Sequence, residues 1–390
     1  MNKNKLLLIV IPLYFLQGTF FEPGGTFAKL LNIIWIFFIA YFAYRFFSMR
    51  GNDKIGKSLL FFWIYISISW ILSPKVVISP EFGPFGTFGE YKNMTFALLT
   101  YFPITYLLGT GDYKSKDIVL FSYFSFISGI VYFFVKQISA INAQYWLENV
   151  TNNGGYMLVT MLPLMGIPLL FEKRIAFYLA MIISVVLVSF SVKRGAIVCL
   201  LVIILCFWYC VFYKETFKRK TNKLLLVFSS LLMLCLLFFG IYYVISTNEF
   251  LLIRINDMLE GDSSGRDEIA HSLFDSFRNS SLIEMLFGKG FSQTLSVAGL
   301  YAHNDWLELL IDQGIIGVLL YASLFKNMIS FYFKEQKTLS PASKFIILST
   351  ILSWLARSTF SMGFSVPESC YYLIAFSSAK YLNQNKYATD

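Results

Sequence analysis

The sequence predicts an all-α membrane protein, a bundle of transmembrane helices that crosses the bilayer about twelve times. The chain of 390 residues is 57% hydrophobic and only 14% charged, whereas soluble domains carry about 25% charged residues. Apolar runs long enough to cross a hydrocarbon core of roughly 30 Å as a helix recur along the whole length. The 42 Phe and 24 Tyr residues suit lipid-facing surfaces and interfacial belts.

The apolar runs divide the chain into three parts. Nine spans are expected in residues 1–245, a large extramembrane loop in residues 246–304, and three spans in residues 305–390. The predicted spans are residues 5–21, 28–47, 58–73, 94–109, 118–135, 156–171, 175–191, 195–213, 224–245, 305–325, 345–362 and 367–382.

Basic residues predict the orientation. If the N-terminal segment with Lys3 and Lys5 is cytoplasmic, the cytoplasmic segments hold about two thirds of the 32 Lys and Arg residues, as the positive-inside rule requires. Both termini are then cytoplasmic, and residues 246–304 face the outside. The net charge of +9 reflects loops that face anionic membrane lipid, so no nucleic-acid partner is expected.

The large loop contains helix signals. Ser264 is a candidate N-cap, and acidic residues follow it in the first turn of a helix. This helix has an apolar face that would lie on the membrane or on the tops of the spans, formed by Ile269, Leu273 and Phe277. A second, shorter helix around residues 281–287 ends at a turn, Gly288-Lys289-Gly290.

His303 is the best candidate for proton chemistry. An imidazole titrates near neutrality and can take the proton of a hydroxyl, and Asn304 or Asp305 would fix its tautomer. The alternative is an interfacial histidine bonded to a carbonyl. A metal site is not expected, because His271 is distant in sequence and no ligand cluster accompanies His303. No cofactor is expected either, since the chain has no phosphate-loop or dinucleotide motif.

Asp305, Glu308 and Asp312 share one face of the helix that follows. Acids in a membrane helix are costly unless they face a cavity or a partner. They would line the path of an acceptor, or pair with Lys or Arg of a neighbouring helix.

Three arginines are candidate anion-binding residues. Arg194, with Lys193, lies in a tight outer turn at the start of a span, where helix N–H groups add positive field; interfacial snorkelling is its alternative. Arg266 begins the loop helix and would otherwise pair with Asp262 or Glu268. Arg357 lies in the outer third of the eleventh span, where it would meet an anionic group or pair with one of the acids at 308 and 312.

Four motifs carry a family resemblance. They are the run from His303-Asn304 to Gly314 and Gly317, Ser191-Val192-Lys193-Arg194-Gly195-Ala196, Gly265-Arg266, and Leu286-Phe287-Gly288-Lys289-Gly290-Phe291. In content and order they resemble the O-antigen ligase and O-antigen polymerase family. The first half of the chain resembles it only in consisting of apolar helices.

The resemblance implies a fold and a reaction. The fold would be a glycosyltransferase of the lipid-phosphate-sugar type (GT-C-like), and the donor a glycan on undecaprenyl diphosphate. Transfer to a sugar hydroxyl of a glycan or of the lipid A–core would be inverting and metal-independent. Polymerases are the more numerous members, which favours a polymerase of O-antigen or capsule. A flippase and a chain-length regulator would be further partners.

Residue roles follow from the same resemblance. His303 would be the catalytic base, and Arg194 and Arg266 would bind the diphosphate, with Arg357 added from its position. Lys193, Asn304, Asp305 and Glu308 would support the site.

The rival class is a transporter such as a flippase for lipid-linked sugars. Transporters often consist of two similar halves, and the sequence shows no clear internal repeat. A transporter should also hold charges near the middle of the membrane, whereas the polar candidates here gather on the outer side.

Overall fold

The computed structural model describes residues 3–20, 25–49, 53–73, 87–142, 154–191, 193–213 and 265–386, with single residues between 228 and 246. Within these ranges the regular structure is entirely helical, which confirms the predicted all-α class. We number the longer helices α1 to α17 in the order in which the described residues contain them.

A short 3₁₀ turn, Lys3–Leu6, leads into the first helix. The helices of the first half are α1 (Leu7–Phe20), α2 (Thr26–Met49), α3 (Lys54–Leu72), α4 (Thr87–Leu99), α5 (Tyr101–Gly109), α6 (Ser115–Asn142), α7 (Gly154–Met161), α8 (Ile167–Leu170), α9 (Arg174–Phe190) and α10 (Arg194–Phe207). The helices of the second half are α11 (Arg266–Arg278), α12 (Leu282–Phe287), α13 (Thr294–Ala298), α14 (Asp305–Asp312), α15 (Gly314–Glu335), α16 (Pro341–Phe360) and α17 (Cys370–Lys386).

Four of these helices are long and apolar enough to cross a membrane. They are α2 over Thr26–Ser48, α3 over Lys54–Leu72, α6 over Ser115–Gln137 and α15 over Gly314–Glu335. The remaining described helices are shorter, broken or less apolar, so the predicted count of twelve is not reproduced. The span predicted at 94–109 is broken near Thr100 into α4 and α5. The span predicted at 224–245 lies almost wholly outside the described residues.

The span predicted at 305–325 needs a correction. The chain forms two helices there, α14 and α15, which meet at Gln313 and Gly314. Gly314 has a φ of +66°, a left-handed conformation that ends one helix before the next begins. Only α15 is a candidate span, and it continues to Glu335. Hydropathy averages over this corner, so the apolar pattern alone does not reveal it.

Helix packing buries many of the aromatic residues. The Trp35 ring stacks on Phe96 with centroids 4.5 Å apart, and Trp354 stacks on Tyr372 at 5.6 Å. α10 packs along α16, and α17 packs against both α16 and α5. The abundant aromatic residues therefore hold helices together as well as facing lipid.

The described part of the large loop consists of short helices that pack on one another and on α14. The apolar face of α11 packs against α13 and α14. Leu273 is fully buried beside Ala302 and Ile311, with Ile269 and Phe277 packed around them. This packing confirms the apolar face, which lies on the neighbouring helices α13 and α14. The helix begins after Gly265, which has a φ of +75°; Ser264 lies outside the described residues.

Candidate functional site

The turn between α9 and α10 forms one side of the candidate site. Lys193 immediately precedes α10 and Arg194 is its first residue, with no acid in the first turn. Arg194 is exposed and Lys193 half-buried. Two basic side chains and the positive end of a helix dipole therefore lie together, which favours an anion there.

Gly195 lets Tyr156 approach the start of α10. A β carbon at Gly195 would overlap the Tyr156 hydroxyl, so only glycine fits. Tyr156 is 6% exposed, and the same β carbon would lie 3.2 Å from the β carbon of Phe360, the last residue of α16. Tyr156, the α10 N-terminus and the end of α16 therefore meet at Gly195. The sequence analysis did not select this residue, although the pair Gly154-Gly155 before it signals a close helix contact.

Arg357 lies behind Tyr156. Its guanidinium carbon is 5.0 Å from the centroid of the Tyr156 ring. Its Nε donates to the Met362 carbonyl at 2.9 Å, Nη1 to Thr160 Oγ1 at 2.7 Å and Nη2 to Glu368 Oε1 at 2.7 Å. The side chain is only 3% exposed. The expected pairing with an acid of α14 is therefore wrong, because the carboxylate partner is Glu368.

Asn304 caps α14. Its Oδ1 accepts the N–H groups of Trp306 and Leu307 at 3.0 and 3.2 Å, and its Nδ2 donates to the Thr359 carbonyl at 3.1 Å. These bonds fix the start of α14 against the end of α16. The expectation that Asn304 orients the imidazole of His303 is not met, because its polar atoms are engaged with the backbone.

Asp305 fastens the loop that follows α16. Its two carboxylate oxygens each lie 2.9 Å from the Gly363 nitrogen, and Oδ2 accepts from Phe364 N–H at 3.1 Å and Tyr321 Oη at 3.2 Å. The side chain is fully buried. Asp305 therefore holds backbone on the far side of α14 and makes no contact that would fix the imidazole tautomer of His303.

Glu308 fixes the backbone of His303. Its Oε1 accepts the His303 N–H at 3.1 Å, and its side chain is 4% exposed. His303 has a φ of +52°, an uncommon conformation for a residue other than glycine that recurs at functional sites. The imidazole is exposed, so the Glu308 contact holds the residue while leaving its ring accessible.

Asp312 completes the acidic face of α14. Its carboxylate accepts from Ser292 N–H at 3.0 Å, Thr294 N–H at 2.7 Å and the Thr294 hydroxyl at 2.8 Å. Each of the three acids of α14 thus holds a loop. None pairs with Lys or Arg among the described residues, and two are buried, so neither role expected for this face is supported.

The cations and the histidine share one electrostatic neighbourhood. Partial desolvation of the imidazole lowers the pKa of His303, and the charges of Arg266 and Lys193 lower it further. The charge of Arg266 also reaches the Tyr156 hydroxyl. Arg266 itself is exposed at the first position of α11. The charges of Lys193 and Arg266 therefore both act on His303, Arg194 follows Lys193 at the start of α10, and Arg357 packs on the ring of Tyr156.

The Gly288-Lys289-Gly290 turn is a docking element. Lys289 N–H donates to the Ile311 carbonyl at 2.8 Å, and Gly290 N–H donates to the Asp312 carbonyl at 3.0 Å. Gly288 has a φ of +82°, and a β carbon there would overlap the Asp312 backbone. The turn therefore seats the loop on the corner between α14 and α15.

The helical fold with its candidate spans, together with the cations whose charges act on His303, is compatible with a membrane-bound glycan transferase. Residues 179–322 match the family model described as O-antigen ligase. The matched region runs from α9 into α15 and includes Lys193, Arg266 and His303. The match confirms the resemblance of this part of the chain to the O-antigen ligase and polymerase family. A comparison with curated proteins gave no match.

Proposed function

We propose that this protein is a glycosyltransferase that moves a glycan from undecaprenyl diphosphate to a sugar hydroxyl at the outer face of the bacterial inner membrane. The observation that supports the proposal most directly is that His303 is exposed while the charges of Arg266 and Lys193 act on it: partial burial of the imidazole and then these two charges lower its pKa. A lowered pKa leaves the imidazole neutral near pH 7, the form that accepts a proton.

The bond changes balance without a cofactor. The acceptor hydroxyl gives its proton to the His303 imidazole while its oxygen attacks the anomeric carbon from the side opposite the diphosphate. The bond between the anomeric carbon and the diphosphate oxygen breaks, and its electron pair leaves with undecaprenyl diphosphate. One displacement inverts the anomeric configuration. The donor arrives already activated, so no nucleotide is required.

The cations have separate roles in this proposal. Arg194 and Arg266 are exposed, and with Lys193 they would bind the diphosphate and stabilise the charge that grows on it as the bond breaks. Arg357 differs, because its guanidinium is buried and bonded to Glu368, Thr160 and Met362. We therefore reassign Arg357 as a positioning residue that holds Tyr156 and the loop after α16.

The remaining supporting residues act through the backbone. Glu308 holds His303, and Asn304 and Asp305 tie the start of α14 to the end of α16. The acceptor would be a growing glycan for a polymerase or the lipid A–core for a ligase. A flippase would deliver the donor, and a chain-length regulator would limit the product.

The test uses purified protein, a synthetic undecaprenyl-diphosphate glycan and an acceptor glycan, with and without chelator. Wild-type protein should form a glycosidic bond in both conditions. Arg194→Ala and Arg266→Ala should weaken donor binding as well as turnover, because the diphosphate is charged in both ground and transition states. Arg194→Lys should recover only part of the activity, since ammonium lacks the bidentate geometry of guanidinium. His271→Ala serves as the control outside the site.

Two results would contradict the proposal. Activity that vanishes with chelator and returns with a divalent metal would refute the metal-independent reaction. Folded protein that forms no glycosidic bond but translocates lipid-linked sugar in liposomes would identify a transporter.

A further inference from the structure

α12 presents an apolar face that no protein covers among the described residues. Leu282, Ile283, Leu286 and Phe287 are 73%, 72%, 37% and 52% exposed. They occur at spacings of one and four, so they form one face of the helix. The acid of this helix, Glu284, is bonded to the N-cap residue Ser281 in a capping box. The capping box keeps the carboxylate of Glu284 at the N-terminal end of α12, and the most exposed side chains within the helix are the four apolar ones.

Hydrogen bonds set the depth of α12 relative to the span α3. The Tyr65 hydroxyl donates to the carbonyls of Phe287 at 3.2 Å and Gln313 at 2.8 Å. Tyr65 precedes Leu72, the last residue of α3, by seven positions. At about 1.5 Å per residue, it lies roughly 10 Å inside the outer end of that helix. The C-terminal end of α12 therefore lies at the level of the outer third of a candidate span.

After α12 the chain runs along α3 toward the C-terminal end of that helix. The Phe291 N–H donates to the Ser73 hydroxyl, which directly follows the end of α3. Four residues after Phe287 the loop has thus risen from the level of Tyr65 to the end of the helix. The C-terminal end of α12 therefore lies deeper along α3 than the residues that follow it.

Exposed apolar residues of two candidate spans continue this surface. α12 packs against α15. Ile68, one turn beyond Tyr65 on α3, is 50% exposed, and Ile315, next to the Gly314 corner on α15, is 39% exposed. The exposed face of α12 therefore occupies the level at which its neighbours present apolar side chains to lipid.

We infer that α12 is an interfacial anchor whose apolar face is inserted among the acyl chains of the outer leaflet. Burial of apolar side chains in hydrocarbon is favourable, whereas the same four side chains in water would form an unsatisfied apolar patch. Because the Gly288–Gly290 turn follows α12 directly and docks on α14, the anchor fixes the height of the α14 N-terminus above the lipid. This inference does not depend on the proposed reaction.

Collisional accessibility of spin labels tests the inference. The full-length protein carries Cys235→Ser, which removes the exposed native thiol, and is reconstituted in phosphatidylcholine–phosphatidylglycerol liposomes. Labels are placed at Ile283→Cys and Leu286→Cys. Leu319→Cys, on the exposed face of α15, is the lipid reference, and Asp275→Cys, exposed on α11, is the water reference. Each label is exposed to oxygen, which partitions into lipid, and to a water-soluble nickel chelate.

The inference predicts that oxygen dominates at both α12 positions, with an oxygen-to-nickel ratio several-fold above that of Asp275→Cys and close to that of Leu319→Cys. Dominance of the nickel chelate would place α12 in water and overturn the inference. Protection from both reagents would mean that protein, such as a second copy of the chain, covers the face, and would also overturn it.

Discussion

Replacing Gly288 with alanine tests whether the Gly288–Gly290 turn holds the loop to the corner between α14 and α15. The matched control is Gly299→Ala. Both glycines have positive φ values, +82° and +70°. Gly299 is in the left-handed helical region with a ψ of −13°, whereas Gly288 has a ψ of 175°, a conformation that is essentially restricted to glycine. A β carbon at Gly288 would overlap the Asp312 carbonyl, whereas at Gly299 no neighbouring atom lies within 4 Å. The Gly299 variant therefore controls for placing alanine at a positive φ, and Gly288→Ala carries the larger conformational cost and the steric one.

The magnitude follows from these contacts. A left-handed conformation costs an alanine about 1–2 kcal/mol at Gly299, and the glycine-only conformation of Gly288 costs an alanine about 1–3 kcal/mol. Overlap with rigid backbone adds about 1–3 kcal/mol at Gly288. Displacing the turn also weakens the two hydrogen bonds to the Ile311 and Asp312 carbonyls, each contributing about 1 kcal/mol. We expect Gly288→Ala to ease loop opening by at least about 2 kcal/mol more than Gly299→Ala, or about thirtyfold in the open population.

Limited proteolysis with trypsin measures this difference. Arg278 is exposed at the end of α11, and its cleavage rate reports the population of the opened loop when opening and closing are fast. Gly288→Ala should be cut about thirtyfold faster than Gly299→Ala. Equal rates for the two variants would refute the docking role of the turn.

Three further predictions follow from the site. The transfer rate should rise with pH through a midpoint below the ordinary pKa of histidine, because neutral His303 is the active form. Lys193→Gln removes a positive charge that lowers the pKa of His303, so it should move this midpoint to higher pH. A pH profile that Lys193→Gln leaves unmoved would contradict the electrostatic link between the two residues. Arg357→Met should lower the free energy of unfolding by roughly 3 kcal/mol, since it leaves a carboxylate without its partner; unchanged thermal unfolding in detergent would contradict this. Gly195→Ala should reduce transfer by displacing Tyr156, and adding Tyr156→Phe, which removes the overlapping hydroxyl, should restore part of it. Full activity of Gly195→Ala alone would show that the close contact is dispensable.

The sequence predicted those elements whose structure is determined by residues close together along the chain. The apolar spacing around Leu273 identified the face of α11, and the glycines at 288 and 290 identified a turn, because helix periodicity and glycine conformation are properties of short segments. The position of His303 just before a helix was also readable from the sequence. In each case the residues that determine the structure are neighbours along the chain.

Tertiary partners were not predictable in the same way. For Arg357 the sequence left an anionic ligand or an acid of α14 as alternatives, and the structure pairs it with Glu368, eleven residues further along the chain. The acids of α14 were expected to face a path or a cation, and they accept backbone N–H groups instead. Spacing shows which residues share a helix face, but it does not show what packs against that face. Tyr156 was missed because its role depends on the start of α10, a contact between segments distant in sequence.

The most direct test of the central claim is transfer by His303→Asn, measured alongside binding of the lipid-linked donor. Asparagine tolerates the left-handed backbone of this position better than alanine does, and it cannot act as a base near neutral pH. The account predicts that transfer falls by about 10²–10⁴-fold while donor binding and thermal unfolding stay close to wild type. Transfer at the wild-type rate by this variant would contradict the assignment of His303 as the base.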